Sequence, residues 1–208
     1  MSGESRAPAG RVPRIRPADI RRLCLDINRR HAALNLAVAR RRESPGAWQD
    51  WERAVAAFHD GFSHELFSLW DPEVLADIRD ADGAWRAVAL DVLQEDPWFF
   101  RSGYLKARLC RALKQAPHLG AADVARIRRI LLAVVQSRHR EEFVHFQRLA
   151  LRVDGPDLRQ ALVALCGHPA EPEVRRRAQW MLGKLTHHAP TLGATDATLS
   201  ALMASSST

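Results

Sequence analysis

From Ile20 to Leu185 the apolar residues of this chain recur three and four positions apart, and short turns containing Pro, Gly or Asp interrupt the pattern. Nowhere do four to eight residues alternate polar with apolar under β-branched enrichment, so no strand is expected and the fold class is all-α. Ile20, Leu23, Cys24, Ile27, His31, Leu34 and Val38 define a first helix opened by Pro17. Arg40, Arg41 and Arg42 close it near the negative end of its dipole. After the Ser44-Pro45-Gly46 break come Trp48, Trp51, Val55, Phe58, Phe62, Leu66 and Leu69, the strongest amphipathic pattern in the chain. That pattern predicts a second long helix, capped by Ser44 and ended at Trp70 by Asp71-Pro72.

Shorter helices follow. Val74, Leu75 and Ile78 mark a third, and Trp85, Val88, Val92 and Leu93 a fourth that stops before Pro97. Leu105, Leu109, Ala112 and Leu113 define a fifth, and 120 to about 138 a sixth on Val124, Ile127, Leu131, Val134 and Val135. A seventh spans about 140 to 151 with Phe143, Phe146 and Ala150 inward. Leu158, Leu162 and Leu165 give an eighth, and Val174, Ala178, Met181 and Leu185 a ninth. Residues 1–16 mix Gly, Pro, Ser and Arg without period and read as a mobile basic arm; 189–208 read as a disordered tail. Between them lie an N-terminal helical part, 17–95, and a C-terminal one, 96–188.

Where the two parts meet, Trp98, Phe99, Phe100 and Tyr104 fall within seven positions and run into a basic amphipathic helix. Rings of that size are hidden only against several elements at once, so the first expectation is a packing hub; the second is an aromatic recognition surface.

Charge is segregated along the chain. Residues 1–42 hold eleven Arg against three acids, 43–100 three Arg against thirteen acids, and 101–185 seventeen basic residues against seven acidic ones. An acidic middle between basic flanks can satisfy itself internally or offer opposite faces to different partners. Of 31 basic residues 28 are Arg, which with abundant Ala suggests high-GC bacterial coding. Cys24, Cys110 and Cys166 sit on apolar stripes and read as free buried thiols in a reducing compartment. No apolar run reaches the ~20 residues of a membrane span, and the first ten residues have no apolar core of a secretory signal, so a cytoplasmic protein without membrane contact is expected.

Glu173-Val174-Arg175-Arg176-Arg177-Ala178-Gln179-Trp180-Met181-Leu182-Gly183-Lys184-Leu185 resembles the second-helix pattern of HEAT-type repeats, where an acid, Val and Arg precede a small Ala and then Leu-Gly. The resemblance makes Val174, Ala178 and Leu182 inward positions. It implies antiparallel pairs at about 83–114, 120–151 and 154–185, stacked as a short right-handed solenoid with the first two long helices as an N-terminal hairpin. The other pairs lack the Val-Arg and Leu-Gly elements.

Motifs for chemistry are sparse. Neither GxxxxGK nor GxGxxG is present. Gly61-Phe62-Ser63-His64-Glu65 lacks the last Gly of a nucleophile elbow and sits inside a helical pattern. Asp60 and His64 share a face at four apart with no third ligand, and Glu142 and His145 have the Glu-x-x-His spacing once, on what reads as a charged, solvated face. No cofactor or metal is expected. The preferred function is a non-enzymatic interaction module that binds another protein, of adaptor, scaffold or inhibitor/immunity type. Its candidate binding residues are Trp98, Phe99, Arg101, Tyr104, Arg128, Arg138, Arg140, Arg175, Arg176 and Arg177. The alternative is nucleic-acid binding by these basic clusters and the N-terminal arm. An enzyme, for instance a HEAT-like base-excision glycosylase, would need an aromatic cleft with a carboxylate, for which Trp98, Tyr104 and Asp96 are nearest. Nothing in the sequence fixes the oligomeric state.

Overall fold

The computed structural model describes residues 15–137, 141–167 and 171–187. Among these residues the chain forms helices and no strand: α1 (Pro17–Arg40), α2 (Pro45–Asp60), a 3₁₀ helix (Glu65–Trp70), α3 (Pro72–Arg79), α4 (Trp85–Glu95), α5 (Ser102–Gln115), α6 (Ala121–Gln136), α7 (Phe143–Ala150), α8 (Pro156–Cys166) and α9 (Pro172–Thr186). None of them is long and apolar enough to cross a membrane.

The starts follow from local chemistry. Proline opens α1, α2, α3, α8 and α9, where the first turn has no use for its missing N–H. Ser44 Oγ accepts from the Ala47 N–H at 3.1 Å, and the Asp19 carboxylate accepts from the Arg16 N–H at 3.2 Å. The Asp77 carboxylate accepts from the Trp85 N–H at 2.8 Å and so tethers the start of α4 to α3.

Helices pack in two successions. In one, α1 contacts α4, α4 contacts α6, and α6 contacts α8; in the other, α3 contacts α5, α5 contacts α7, and α7 contacts α9. Contacts of α3 with α4, α4 with α5, α6 with α7 and α8 with α9 join them, and one apolar core runs from Ile15 to Leu185 across the 95/96 division. Ile15, at the inner edge of the basic arm, is buried in that core; residues 1–14 and the tail from 188 lie outside the described residues. Cys24 and Cys110 are buried and free, and Cys166 is half-buried and free. Burial pushes the Cys24 thiol up to about 11 and the Cys110 and Cys166 thiols upward as well, so they behave as small apolar side chains.

Helix α2 departs from expectation. It ends at Asp60 instead of continuing to Trp70, and residues 61–64 form a loop before the 3₁₀ helix. Ser63 Oγ donates to the Asp60 carbonyl at 2.6 Å, and His64 Nδ1 accepts from the Leu66 N–H at 3.0 Å, so side chains take over the backbone groups that a continuous helix would have paired. The apolar period survives the break because a 3₁₀ helix returns Leu66 and Leu69 to one face after three residues. Of the α2 stripe only Phe58 is buried; Trp51 and Val55 are half-buried and Trp48 is 45% exposed.

Gly83 gives the tightest backbone approach in the α3–α4 turn. A Cβ there would collide with the main-chain carbonyl of Asp77, which cannot swing aside without unseating α4. Gly83→Ala is therefore expected to lower stability by about 2 kcal/mol or more, measured by urea denaturation followed by far-UV circular dichroism.

Candidate functional site

The aromatic stretch is held by an unusual backbone. Asp96 closes α4 in the left-handed conformation at φ 46°, its N–H donating to the Val92 carbonyl at 3.1 Å, and Arg101 takes the same region at φ 67° just before α5. Each costs on the order of 1 kcal/mol for a residue with a Cβ. Between them Pro97 is buried, Trp98 exposed, Phe99 buried and Phe100 exposed, the alternation of a non-helical segment lying on a core. The expected hub is thus half a hub. Phe99 packs near Phe67 with ring centroids 5.9 Å apart, whereas Trp98 and Tyr104 are 63% and 70% exposed.

Reciprocal bonds fix this segment. The Phe99 N–H donates to Ser102 Oγ at 3.2 Å while the Ser102 N–H donates to the Phe99 carbonyl at 2.9 Å. Asn28 Nδ2 of α1 donates to the Trp98 carbonyl at 2.8 Å. Phe100 lies against His31 at 4.8 Å and Phe58 at 5.7 Å, with the Arg101 guanidinium over its ring at 5.3 Å. His31, on the apolar stripe of α1, is half-buried between the Phe58 and Phe100 rings.

Beneath the segment sits Lys106, whose side chain is 1% exposed. Its Nζ lies 2.7 Å from Asp96 Oδ1 and 2.9 Å from Glu142 Oε1. One ammonium thus ties the end of α4 and the start of α7 to α5. Glu142 is therefore no member of a solvated face, as its Glu-x-x-His spacing suggested; its side chain is 11% exposed and ion-paired. Gly103 leaves room for the Glu142 carboxylate, since a Cβ there would lie 3.2 Å from Oε2 and press on it. The sequence held a faint signal for Lys106. It is one of three Lys among 31 basic residues, and it lies four before Cys110 on the apolar stripe.

Trp98, Phe100, Arg101 and Tyr104 form one wall of an open groove of about 770 Å³; Glu141, Glu142 and His145 line it from the α7 side. Burial, then the Arg148 and Arg111 charges, lower the His145 pKa below its ordinary 6.5, so the groove presents a neutral imidazole at pH 7. The arrangement offers flat ring faces, one guanidinium and one exposed carboxylate, Glu141, at fixed positions, while the nearest interior carboxylates are already engaged by Lys106.

The other candidate residues are spread out. Arg128 donates to the Val153 and Asp154 carbonyls at 2.8 and 3.1 Å, bracing the α7–α8 turn. Arg177 is buried and donates to the Val135 carbonyl at 2.7 Å. Arg176 pairs with Glu173 at 2.6 Å and lies 5.1 Å over the Trp180 ring, and Arg175 is half-buried. Arg138 and Arg140 lie outside the described residues. Of the ten candidates, the structure brings Trp98, Phe99, Arg101 and Tyr104 together at the groove.

Lys106→Met leaves Asp96 and Glu142 without their shared ammonium and is expected to cost about 3–5 kcal/mol in urea denaturation, more than Lys114→Met at an exposed position. His145 supplies a pH test. With its folded-state pKa depressed, the unfolded chain binds the extra proton first, so its contribution is present above 6.5 and lost as pH falls through the folded value. Thermal unfolding between about pH 7 and pH 5 should show a smaller loss for His145→Gln than for the unaltered chain.

No family model, curated protein or solved structure matches this chain, so the groove and the packing around it carry the functional argument.

Proposed function

We propose that this chain is a non-enzymatic helical-repeat interaction module, HEAT-like from α4 to α9, that binds another protein at the aromatic groove as an adaptor, scaffold or inhibitor. The two successions of contacts support the repeat architecture, because α4, α6 and α8 follow one another as first helices and α5, α7 and α9 as second helices. The observation that carries the binding role is the pair Trp98 and Tyr104. Two large rings stand mostly in solvent on a backbone fixed by Phe99, Ser102, Asn28 and the buried lysine. Rigid exposed aromatics lose little entropy on contact and are the residue types that dominate interface energetics. A cytoplasmic setting belongs to this reading and rests on the three free thiols.

The nucleic-acid alternative draws less support. Arg128 and Arg177 hold main-chain carbonyls inside the fold, and Arg176 is paired with Glu173, so these three guanidinium groups are already engaged and less available to a phosphate backbone. An enzymatic use of Asp96 or Glu142 meets the same objection, since both are ion-paired to Lys106.

The test is affinity capture from the native host with the unaltered chain and with a Trp98→Ala, Tyr104→Ala double variant of unchanged circular dichroism. One defined protein should be retained through a high-salt wash, with retention weakened about 30-fold or more by the double change. Equal retention by the variant would overturn the assignment of the groove. Binding of duplex nucleic acid with a steep salt dependence would favour the alternative.

A further inference from the structure

The groove at Trp98 and Tyr104 does not end at its mouth. Helices α5 and α7 lie against each other and run the same way: at one end Gly103 faces the Glu142 carboxylate, and at the other Arg152, just past α7, donates to the Ala116 and Pro117 carbonyls just past α5. On α5, Arg111 follows Tyr104 by seven residues and so shares its face; on α7, Arg148 follows by three the His145 that lines the groove. From the Gly103–Glu142 contact, Arg111 is about 12 Å along its helix and Arg148 about 9 Å along its own, which sets the two guanidinium groups nearly abreast. Both of their charges act on the half-buried His145 imidazole, in keeping with that placement. Charge changes along this seam. At the mouth Arg101 and Glu141 stand on opposite walls, and Asp96 and Glu142 are turned to Lys106. Beyond the mouth neither α5 nor α7 contains an acidic residue. Arg111 and Arg148 are exposed, and among the described residues neither has a hydrogen-bond or ion-pair partner, unlike Arg128, Arg159 and Arg177.

We propose that the groove takes an acidic, extended peptide segment of the partner protein, with an aromatic or branched apolar side chain against Trp98 and Tyr104 and carboxylates further along at Arg111 and Arg148. The distance from Tyr104 to Arg111 along α5 is about 10 Å. An extended chain covers it in about three residues at roughly 3.3 Å each, which fixes the spacing between anchor and acid. Two unpaired guanidinium groups side by side on separate helices suit a carboxylate, and no acid of the described chain supplies one. Glu141 sets the polarity. Exposed and without an ion pair at the mouth, it repels an acid placed beside the rings and leaves the far end, where positive charge is unopposed, as the place for carboxylates. The same carboxylate disfavours a nucleic-acid strand, which carries a phosphate on every nucleotide and would bring one against it. This occupant presupposes the protein-binding reading of the groove and adds the chemistry of the segment that enters it.

The experiment selects short random peptides displayed on phage, using the full chain, an Arg111→Glu, Arg148→Glu double variant and the Trp98→Ala, Tyr104→Ala double variant. All four positions are exposed, so each variant should keep the circular dichroism spectrum of the parent. The unaltered chain should enrich acidic residues about three positions from an aromatic or leucine side chain. The charge-reversed variant should keep the apolar anchor and exchange the acids for basic residues, and the ring-deleted variant should enrich neither. In fluorescence anisotropy with the most enriched peptide, Arg111→Ala and Arg148→Ala should each weaken binding about 5- to 10-fold, while Arg42→Ala on the α1–α2 loop leaves it unchanged. Anchored peptides without acids, or acids enriched equally by the charge-reversed variant, would overturn the acidic occupant and leave the groove standing as a protein contact. No enriched peptide, or the same peptides on the ring-deleted variant, would overturn both. A single-stranded oligothymidylate bound more tightly than any peptide, and weakened by the same arginine changes, would assign the seam to nucleic acid instead.

Discussion

A helix that ends in a short turn leaves its last carbonyls without partners, and in this protein arginines from neighbouring helices and turns supply several of them. Arg86 donates to the Ile78 carbonyl at the end of α3, Arg152 to Ala116 and Pro117 just past α5, and Arg30 adds a second donor to the Ala57 carbonyl of α2, which the Gly61 N–H also reaches. Arg177 reaches Val135 in the last turn of α6, Arg128 the carbonyls that follow α7, and Arg159 that of Leu185 in α9. The same step recurs through the fold: a guanidinium with several N–H donors meets a helix end that needs acceptors filled, and it also suits the negative end of the dipole. Lysine, with one compact ammonium, serves this geometry less well. The Arg-rich composition therefore has a structural use whatever its coding origin, and clusters that suggest a phosphate grip in the sequence are partly consumed in holding helices together.

Lys106 works differently because its partners are carboxylates. Replacing Lys106, Asp96 and Glu142 together by apolar side chains of similar shape would change stability little, since desolvation offsets most of the attraction among the three charges. What Lys106 confers is position. Asp96 reaches it from the left-handed conformation, and after that turn Pro97 and Phe99 face inward and Trp98 and Phe100 outward. The exposed rings of the groove are thus set by a charge at the floor beneath them. The strain at Asp96 and Arg101 is tolerated because the Ser102 and Asn28 bonds and the burial of Phe99 all select the same conformation.

Helix type and most boundaries were legible in the sequence because burial in this fold follows the three-and-four period closely: Ile127, Leu131, Val134 and Val135 on α6 and Val174, Ala178, Met181 and Leu185 on α9 are buried as the pattern requires. Periodicity failed at residue 61, where a 3₁₀ helix mimics the continuing stripe and only Ser63 and His64 betray the break. It also failed at Trp48 and Trp51, because amphipathicity states which face is apolar and not whether anything covers it. The groove was half legible. An aromatic cluster is conspicuous in composition, but which rings face out depends on two positive φ angles that no local signal announces, and a lone lysine on an apolar stripe reads as noise until its two carboxylates are brought to it by the fold.

The segregation of charge along the chain resolves in the same terms. Basic side chains of α1 meet acids of the middle block in the Arg21–Glu95 and Arg30–Asp60 pairs, and basic side chains beyond residue 100 meet it in the Arg126–Asp91 and Lys106–Asp96 pairs. The three arginine pairs are partly exposed and each contributes at most about 1 kcal/mol, so they do not hold the helices together. Their effect is on register. Sliding one helix by a turn along its neighbour preserves much of the apolar contact, since the stripes repeat, but it separates the basic flanks from their acidic partners in the middle block. An apolar pattern that is nearly periodic leaves the register between helices under-determined, and opposite charges placed in different thirds of the sequence narrow that freedom.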